Sequence, residues 1–200
     1  MCKIICITNR LLCGKDFIGH LEAVAAAHPD AVILREKGLS EADYLRLAEQ
    51  TKAICEKQQT PLILHSFPNA AKALSHKAIH LPMPMLRHLS DRERAYFSVL
   101  GASCHSVEEA KEAERLGCTY ITASNVFETD CKKGLPGKGV EFLREICESV
   151  NIDVYALGGI TARNIAEVMR SGADGTCIMS GFMKSENPEI LMEELHNAIS

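Results

Sequence analysis

The segment Ala156-Leu-Gly-Gly-Ile160 places two adjacent glycines directly after a short apolar run and before a helical pattern. A second segment of this kind, Ile178-Met-Ser-Gly181, follows the next apolar run along the chain. Glycine lets the backbone approach a ligand closely, and backbone amides at the start of a helix bind phosphate well. Together the two segments predict a phosphate site at the carboxyl ends of neighbouring parallel strands.

A long polar loop upstream extends the same pattern. The stretch Glu128-Thr-Asp-Cys-Lys-Lys-Gly-Leu-Pro-Gly-Lys-Gly139 also follows an apolar run. It contains a hydroxyl at Thr129 and an ammonium at Lys132, and both groups donate hydrogen bonds to phosphate oxygens. Three such segments favour a small phosphorylated ligand at one end of a repeated β/α scaffold.

Short apolar runs alternate with helical patterns along the whole chain. Some runs are apolar throughout, such as Ala31-Val-Ile-Leu34, which is typical of parallel strands covered on both faces. The predicted strands cover residues 3–8, 31–36, 61–65, 78–81, 96–103, 119–123, 154–157 and 175–179. The predicted helices cover residues 16–27, 41–57, 68–75, 107–116, 140–149, 162–171 and 188–199, with a weak connection at 87–94.

This alternation predicts an α/β fold, a (β/α)8 TIM barrel, in which residues 1–200 form a single domain. An open, doubly wound sheet is the alternative. The absence of Gly-x-Gly-x-x-Gly after the first predicted strand disfavours a dinucleotide-binding version of that sheet.

The composition excludes several classes of protein. The formal net charge of −4 disfavours nucleic acid as a partner, and no apolar run reaches the roughly 18 residues of a membrane span. The amino terminus lacks the apolar region of a secretory signal, so we expect a cytoplasmic protein. The 9 cysteines are irregularly spaced and form no Cys-x-x-Cys pair, which predicts buried free thiols in a reducing compartment.

Residues that follow the strands of a barrel face its mouth, where ligands bind. Several candidates for substrate binding or chemistry stand at these positions. They are Arg35, Lys37, His65, Ser103, Asn125, Thr129, Lys132, Gly158, Gly159, Ser180 and Gly181.

Six parts of the sequence carry a resemblance to a known family. They are Leu34-Arg-Glu-Lys37, Ile79-His-Leu81, Gly101-Ala-Ser-Cys-His-Ser106 with Glu108-Glu-Ala110, Val126-Phe-Glu-Thr129 with Lys132, Ala156-Leu-Gly-Gly-Ile160 with Asn164, and Gly172-Ala-Asp-Gly175. The chain resembles the thiamine phosphate synthase superfamily along nearly its whole length. The unbroken Val126-Phe-Glu-Thr-Asp-Cys-Lys-Lys-Gly134 is most similar to the TenI branch, which includes a thiazole phosphate tautomerase.

The resemblance implies a (β/α)8 barrel that handles small phosphorylated heterocycles in thiamine biosynthesis, and it allows a homodimer. In the synthase, a transferase, an aminopyrimidine pyrophosphate ionises and a thiazole phosphate captures the carbocation. The resemblance implies that the pyrophosphate contacts Arg35, Lys37, Ser103 and Lys132. It implies that the thiazole phosphate is held by Thr129, Gly158, Gly159, Ser180 and Gly181.

Two departures from the synthase pattern concern magnesium. Synthases carry Asn-Asp after the third strand, where this chain has His65-Ser66. Met85 occupies the place of a second metal-binding aspartate. Serine and methionine are poor ligands for this hard cation. We therefore expect no metal site and no cofactor, with magnesium required only if the chain is a true synthase.

A third departure concerns proton transfer. The tautomerase branch has its catalytic histidine directly before Val-Phe-Glu-Thr, where this chain has Asn125, which cannot exchange a proton near neutral pH. His65 is the predicted replacement, so the predicted catalytic residues are His65, Lys132 and Arg35. The sequence thus predicts a tautomerase-like isomerase, with a synthase or a non-catalytic phosphate-binding relative as alternatives. A zinc-type site of His65, His80 and His105 is a less favoured hypothesis than structural roles for these histidines.

Overall fold

Eight parallel strands close into a barrel in the computed structural model, which describes residues 2–14, 16–129 and 136–199. Each strand pairs with its successor in the sequence, and the last strand pairs with the first through Ile5 and Cys177. The strands are β1 (Lys3–Ile7), β2 (Ala31–Leu34), β3 (Leu62–His65), β4 (Ala78–Pro82), β5 (Val99–Cys104), β6 (Tyr120–Ser124), β7 (Asp153–Leu157) and β8 (Gly175–Ile178). The predicted barrel is confirmed, and the open sheet is ruled out because β1 and β8 are paired.

Helices on the outside connect the strands, and a short 3-10 helix spans Arg10–Leu12. The helices are α1 (Phe17–Ala26), α2 (Glu41–Lys57), α3 (Pro68–Ala73), α4 (Met83–His88), α5 (Asp91–Arg94), α6 (Val107–Arg115), α7 (Gly139–Ser149), α8 (Ile165–Arg170), α9 (Ser180–Lys184) and α10 (Pro188–Ile199). None of the helices that the structure describes combines the length and apolar composition that crossing a bilayer requires.

Capping residues define the helix boundaries that the sequence predicts. The Ser40 side chain accepts a hydrogen bond from the Asp43 amide at the start of α2, and Ser106 accepts one from the Glu109 amide at the start of α6. Gly117 follows α6 with a φ of +86°, a conformation that glycine adopts without steric cost.

The connection between β4 and β5 differs from the sequence prediction. Residues 83–88 form the helix α4, which has Pro84 in its first turn, where a missing N–H costs nothing. Ser90 and Glu93 form a reciprocal capping box that starts α5. The predicted strand over 96–103 therefore begins only at Val99. The helix α9, directly after β8, also escapes sequence analysis because it is only one turn long.

The barrel has two separate apolar layers because successive side chains of a strand point to opposite faces. Ile4 and Cys6 of β1 face the surrounding helices, whereas Ile5 and Ile7 face the barrel interior. Five cysteines are buried and free, as predicted: Cys6, Cys55, Cys104, Cys118 and Cys177. Cys131 lies outside the described residues.

One glycine decides how the interior is filled. A Cβ atom added to Gly101 on β5 would lie 2.1 Å from Cζ of Tyr120 on the neighbouring strand β6. The ring of Tyr120 therefore occupies the space that a side chain at residue 101 would need. This packing places the phenol hydroxyl beneath the mouth of the barrel, within 3.0 Å of Nδ1 of His80.

Candidate functional site

A cavity of about 140 Å³ lies at the carboxyl end of the barrel and is called the mouth cavity below. It brings together most of the residues that the sequence singles out. Those that line it are Arg35, His65, Ser103, Asn125, Thr129, Gly158, Gly159 and Ser180. Lys37 lies two residues after Arg35, and Gly181 directly follows Ser180, but neither of the two lines the cavity. Lys132 lies outside the described residues, so its predicted role stays a prediction.

Two cations stand together after β2. The guanidinium of Arg35 lowers the pKa of the exposed Lys37 ammonium, and partial burial of that ammonium acts in the same direction. Close cations repel each other, so an anion bound between them would relieve this repulsion. The pair is therefore consistent with the predicted binding of a phosphate or pyrophosphate, which stays a prediction.

Glu36, which separates these two cations in the sequence, faces another way. It is buried and accepts hydrogen bonds from Oγ1 of Thr8 at 2.6 Å and from the Arg10 amide at 3.1 Å. Thr8 Oγ1 in turn accepts a hydrogen bond from the Arg35 amide at 3.0 Å. Burial raises the pKa of Glu36, and these hydrogen bonds oppose the shift. Glu36 thus helps to fix the backbone that presents Arg35.

The glycines after β7 fit a space that no other residue could occupy. Gly158 has a φ of +112°, and an added Cβ atom would lie 2.7 Å from Cβ of Asn125. Gly159 has a φ of +64°, and an added Cβ atom would lie 2.4 Å from the Glu128 carbonyl oxygen. Asn164 Nδ2 donates to the Gly159 carbonyl at 3.0 Å, which holds this turn in place. The backbone is therefore closely packed and fixed at the predicted phosphate site.

Asn125 has a clear structural role at the cavity wall. Its Nδ2 donates to the carbonyl oxygens of Phe127 and Pro136, at 3.3 and 3.4 Å. Its own carbonyl accepts a hydrogen bond from the Lys138 amide at 3.0 Å. Asn125 therefore ties together the two ends of the loop that follows β6, and its predicted contact with substrate stays a prediction.

His65 does not behave as the sequence predicts. Burial, with help from the neighbouring His80, lowers its pKa to about 2. The ring lies 5.5 Å from the His80 ring, and Nδ1 is 2.7 Å from Oγ of Ser66. The expectation that His65 titrates in the range useful for catalysis is wrong, because the barrel interior excludes the charged form.

His80 connects Tyr120 to Ser103 through hydrogen bonds, a network that sequence analysis does not identify. Its Nδ1 lies 3.0 Å from the hydroxyl of the buried Tyr120, and its Nε2 lies 2.8 Å from Oγ of Ser103. Burial lowers the pKa of His80 to about 3, so the ring is neutral and donates through one nitrogen only. The phenol proton needs an acceptor, which Nδ1 supplies; Nε2 then donates to Ser103. This leaves the Ser103 hydroxyl proton available to a ligand in the mouth cavity.

The hypothesis of a three-histidine metal site is wrong. Both ring nitrogens of His80 are hydrogen-bonded, and Nδ1 of the exposed His105 lies 3.0 Å from the Ser124 carbonyl oxygen. Within residues 2–14, 16–129 and 136–199, no three metal-ligating side chains of His, Cys, Asp or Glu form a group.

The residues present also do not fit magnesium at the positions that the synthase pattern uses. Ser66 Oγ is bonded to His65, and Met85 packs its thioether side chain against the apolar core. Neither group offers the carboxylate oxygen that magnesium prefers. Glu36, the carboxylate next to Arg35 in the sequence, is already saturated by Thr8 and Arg10.

The neutral histidines make the stability of the fold depend on pH. Both pKa values lie below the ordinary value of 6.5, so the unfolded chain binds protons that the folded chain does not. Their contribution is complete above pH 6.5 and is lost as the pH falls toward the folded pKa values. We expect the free energy of unfolding to fall by about 2–3 kcal/mol per pH unit near pH 5. Urea unfolding at pH 7, 6 and 5 measures this slope. A His80→Gln variant should retain about half of it, and equal stability of the wild-type protein at pH 7 and 5 would contradict the assignment.

Comparisons with known proteins agree with this geometry. A family model described as thiamine monophosphate synthase matches residues 4–182. The chain is 30% identical over 200 residues to a thiamine-phosphate synthase from Clostridium tetani, covering 97% of this chain and 94% of that protein. It is 32% identical over 190 residues to the synthase from Clostridium acetobutylicum, covering 92% of this chain and 88% of that protein.

Solved structures give the same result. The thiamine phosphate pyrophosphorylase from Pyrococcus furiosus superimposes with a TM-score of 0.84 at 29% identity, covering 98% of this chain and 95% of that chain. A 3-hexulose-6-phosphate synthase superimposes with a TM-score of 0.70 at 15% identity, which shows the shared fold alone. The narrower resemblance to the TenI branch stays a prediction. The match of the family model over most of the chain establishes that this chain belongs to the thiamine monophosphate synthase family.

Proposed function

We propose that this chain is an enzyme of thiamine biosynthesis that joins an aminopyrimidine pyrophosphate to a thiazole phosphate. The observation that carries the proposal is that two groups of residues suited to binding anions lie at one barrel mouth. Arg35 and Lys37 supply the first, and the backbone around Gly158, Gly159 and Ser180 supplies the second. A coupling reaction between two phosphorylated substrates needs both sites, whereas isomerisation of a single phosphate ester needs only one.

The reaction requires the protein to stabilise the negative charge that develops on the leaving group. The bond between the pyrimidine methylene carbon and the pyrophosphate oxygen breaks, and its electron pair leaves with the pyrophosphate. The thiazole nitrogen then donates its lone pair to the carbocation and forms the new carbon–nitrogen bond. Arg35 and Lys37 stabilise the negative charge that develops on the leaving oxygen, and the Ser103 hydroxyl donates a hydrogen bond to it.

The tautomerase-like prediction requires a residue that transfers a proton, and neither residue considered for this role is suited to it. Asn125 cannot exchange a proton near neutral pH, and burial holds the pKa of His65 at about 2. The names of the relatives also favour the synthase reaction over the isomerase reaction. The synthase is therefore the better supported function, and burial of His65 argues against its predicted catalytic role.

A true synthase is expected from the sequence to require magnesium, but this proposal departs from that expectation: fixed cations balance the charge on the pyrophosphate instead of carboxylate-bound magnesium. Arg35 and Lys37 stand at the described part of the site, and Lys132 is their predicted companion. The homodimer that the resemblance allows remains a prediction that the size of the purified protein in solution tests.

Incubation of the purified chain with both substrates tests the function directly. We expect thiamine phosphate and pyrophosphate to form in equal amounts, detected by mass spectrometry, and to form without added magnesium. Reactions that lack one substrate serve as controls. Binding of thiazole phosphate without product would favour the non-catalytic relative, and conversion of a thiazole tautomer without coupling would restore the isomerase.

A further inference from the structure

A buried hydroxyl on the wall of the mouth cavity has no hydrogen-bond partner among the residues that the structure describes. Oγ1 of Thr122 is out of contact with water and is, among the described residues, the buried side-chain nitrogen or oxygen that lacks a hydrogen bond. Thr122 lines the mouth cavity and lies on β6 between Tyr120 and Ser124. Burying a hydroxyl without a hydrogen bond is unfavourable, so an unpaired hydroxyl at a binding cavity indicates a missing partner.

The position of Thr122 indicates which part of a ligand could form a hydrogen bond with its hydroxyl. In the barrel register Thr122 is the direct neighbour of Ser103 on β5 and of Tyr155 on β7. Ser103 donates its hydroxyl proton toward the cavity because His80 Nε2 donates to its oxygen. In the proposed reaction that proton meets the pyrophosphate leaving group. The group next to Thr122 is therefore the ring that carries the pyrophosphate.

From this we propose that Thr122 is a specificity-determining residue that hydrogen-bonds a nitrogen of the aminopyrimidine ring. An aminopyrimidine has two ring nitrogens that accept hydrogen bonds and an amino group that donates them, and a hydroxyl can pair with either kind. The thiazole phosphate occupies the glycine turn after β7 and does not need this hydroxyl. The assignment rests on the proposed function, because the coupling reaction is what brings the aminopyrimidine into the cavity.

Two opposite effects of one substitution test the proposal. A Thr122→Val variant keeps the branched shape and removes the unpaired hydroxyl. We expect its melting temperature to equal or exceed that of the wild-type protein, because the free cavity no longer buries an unpaired polar group. We expect its Kd for aminopyrimidine pyrophosphate to be about 5- to 10-fold higher, with the Kd for thiazole phosphate unchanged. Isothermal titration in magnesium-free buffer measures both constants.

Two further variants complete the test. Thr122→Ser retains the hydroxyl and should bind aminopyrimidine pyrophosphate like the wild-type protein. Thr176 is the matched control, because this buried threonine on β8 already bonds the Ala156 carbonyl oxygen at 3.2 Å. Thr176→Val should lower the melting temperature and leave both Kd values unchanged.

The proposal is overturned if Thr122→Val binds aminopyrimidine pyrophosphate like the wild-type protein, or weakens the binding of both ligands equally. A fall in its melting temperature as large as that of Thr176→Val would equally overturn it, since the hydroxyl would then be a structural group. Failure of the proposed function is distinct: the wild-type protein would then form no thiamine phosphate, whatever Thr122→Val does. If the wild-type protein does not bind aminopyrimidine pyrophosphate at all, both proposals are wrong.

Discussion

An Arg35→Gln variant is expected to lose about 100- to 1,000-fold in kcat/KM for thiamine phosphate formation. The guanidinium lines the mouth cavity, and it stands close enough to Lys37 to lower the pKa of that ammonium. Glutamine keeps a polar side chain of similar reach but cannot offset the negative charge of the leaving pyrophosphate. Steady-state kinetics with both substrates measure the loss.

The binding of thiazole phosphate provides an internal check on this result. Its Kd should change by less than about twofold in Arg35→Gln, because the proposed phosphate site lies at the ends of β7 and β8. Arg46→Gln is the matched control, since Arg46 lies on the exposed face of α2, where it pairs with Asp43. Wild-type kcat/KM in Arg35→Gln would remove Arg35 from the reaction, and an equal loss in Arg46→Gln would indicate a general electrostatic effect.

A Gly159→Ala variant is expected to lose about 3 kcal/mol in the free energy of unfolding. The methyl group would lie 2.4 Å from the Glu128 carbonyl oxygen and 2.8 Å from Cβ of Phe127, in a backbone conformation with a φ of +64°. The turn must move to relieve these contacts, and its amides would then move away from the proposed phosphate position. The Kd for thiazole phosphate should rise about 10- to 100-fold. Urea unfolding and isothermal titration measure the two effects.

Gly117→Ala separates the two causes of this loss. Gly117 also has a positive φ, of +86°, but an added Cβ atom would meet nothing within 4 Å. Its substitution should cost about 1 kcal/mol from the backbone conformation alone and leave ligand binding unchanged. If the free energy of unfolding of Gly159→Ala were no lower than that of Gly117→Ala, the close packing around residue 159 would not contribute to stability.

The fold could be predicted because its signals are local. Each strand and most helices are short patterns that a few consecutive residues define, and parallel strands in sequence order admit few arrangements. The members of the mouth cavity could be predicted for the same reason, since the barrel topology places residues such as Arg35 and Gly159 at the same end.

The chemical state of the site residues could not be predicted, because it depends on contacts between strands. His65 ends a strand, where the sequence suggests an accessible side chain, yet burial in the barrel suppresses its charge. Glu36 resembles a solvated strand end, yet it is buried and bonded to Thr8. Sequence analysis does not single out Thr122, although Tyr120, Thr122 and Ser124 alternate along β6 and a strand directs such alternate residues to the same face.

The contact between Gly101 and Tyr120 restricts how this barrel can diverge. A relative that acquires a side chain at residue 101 must shorten residue 120, because both cannot fill the same 2.1 Å gap. Loss of the phenol would deprive Nδ1 of His80 of its proton donor, and the imidazole would be free to adopt the other tautomer. Ser103 would then accept a hydrogen bond from the substrate instead of donating one. A single methyl group on a neighbouring strand can therefore remove a hydrogen-bond donor that would otherwise face an anion.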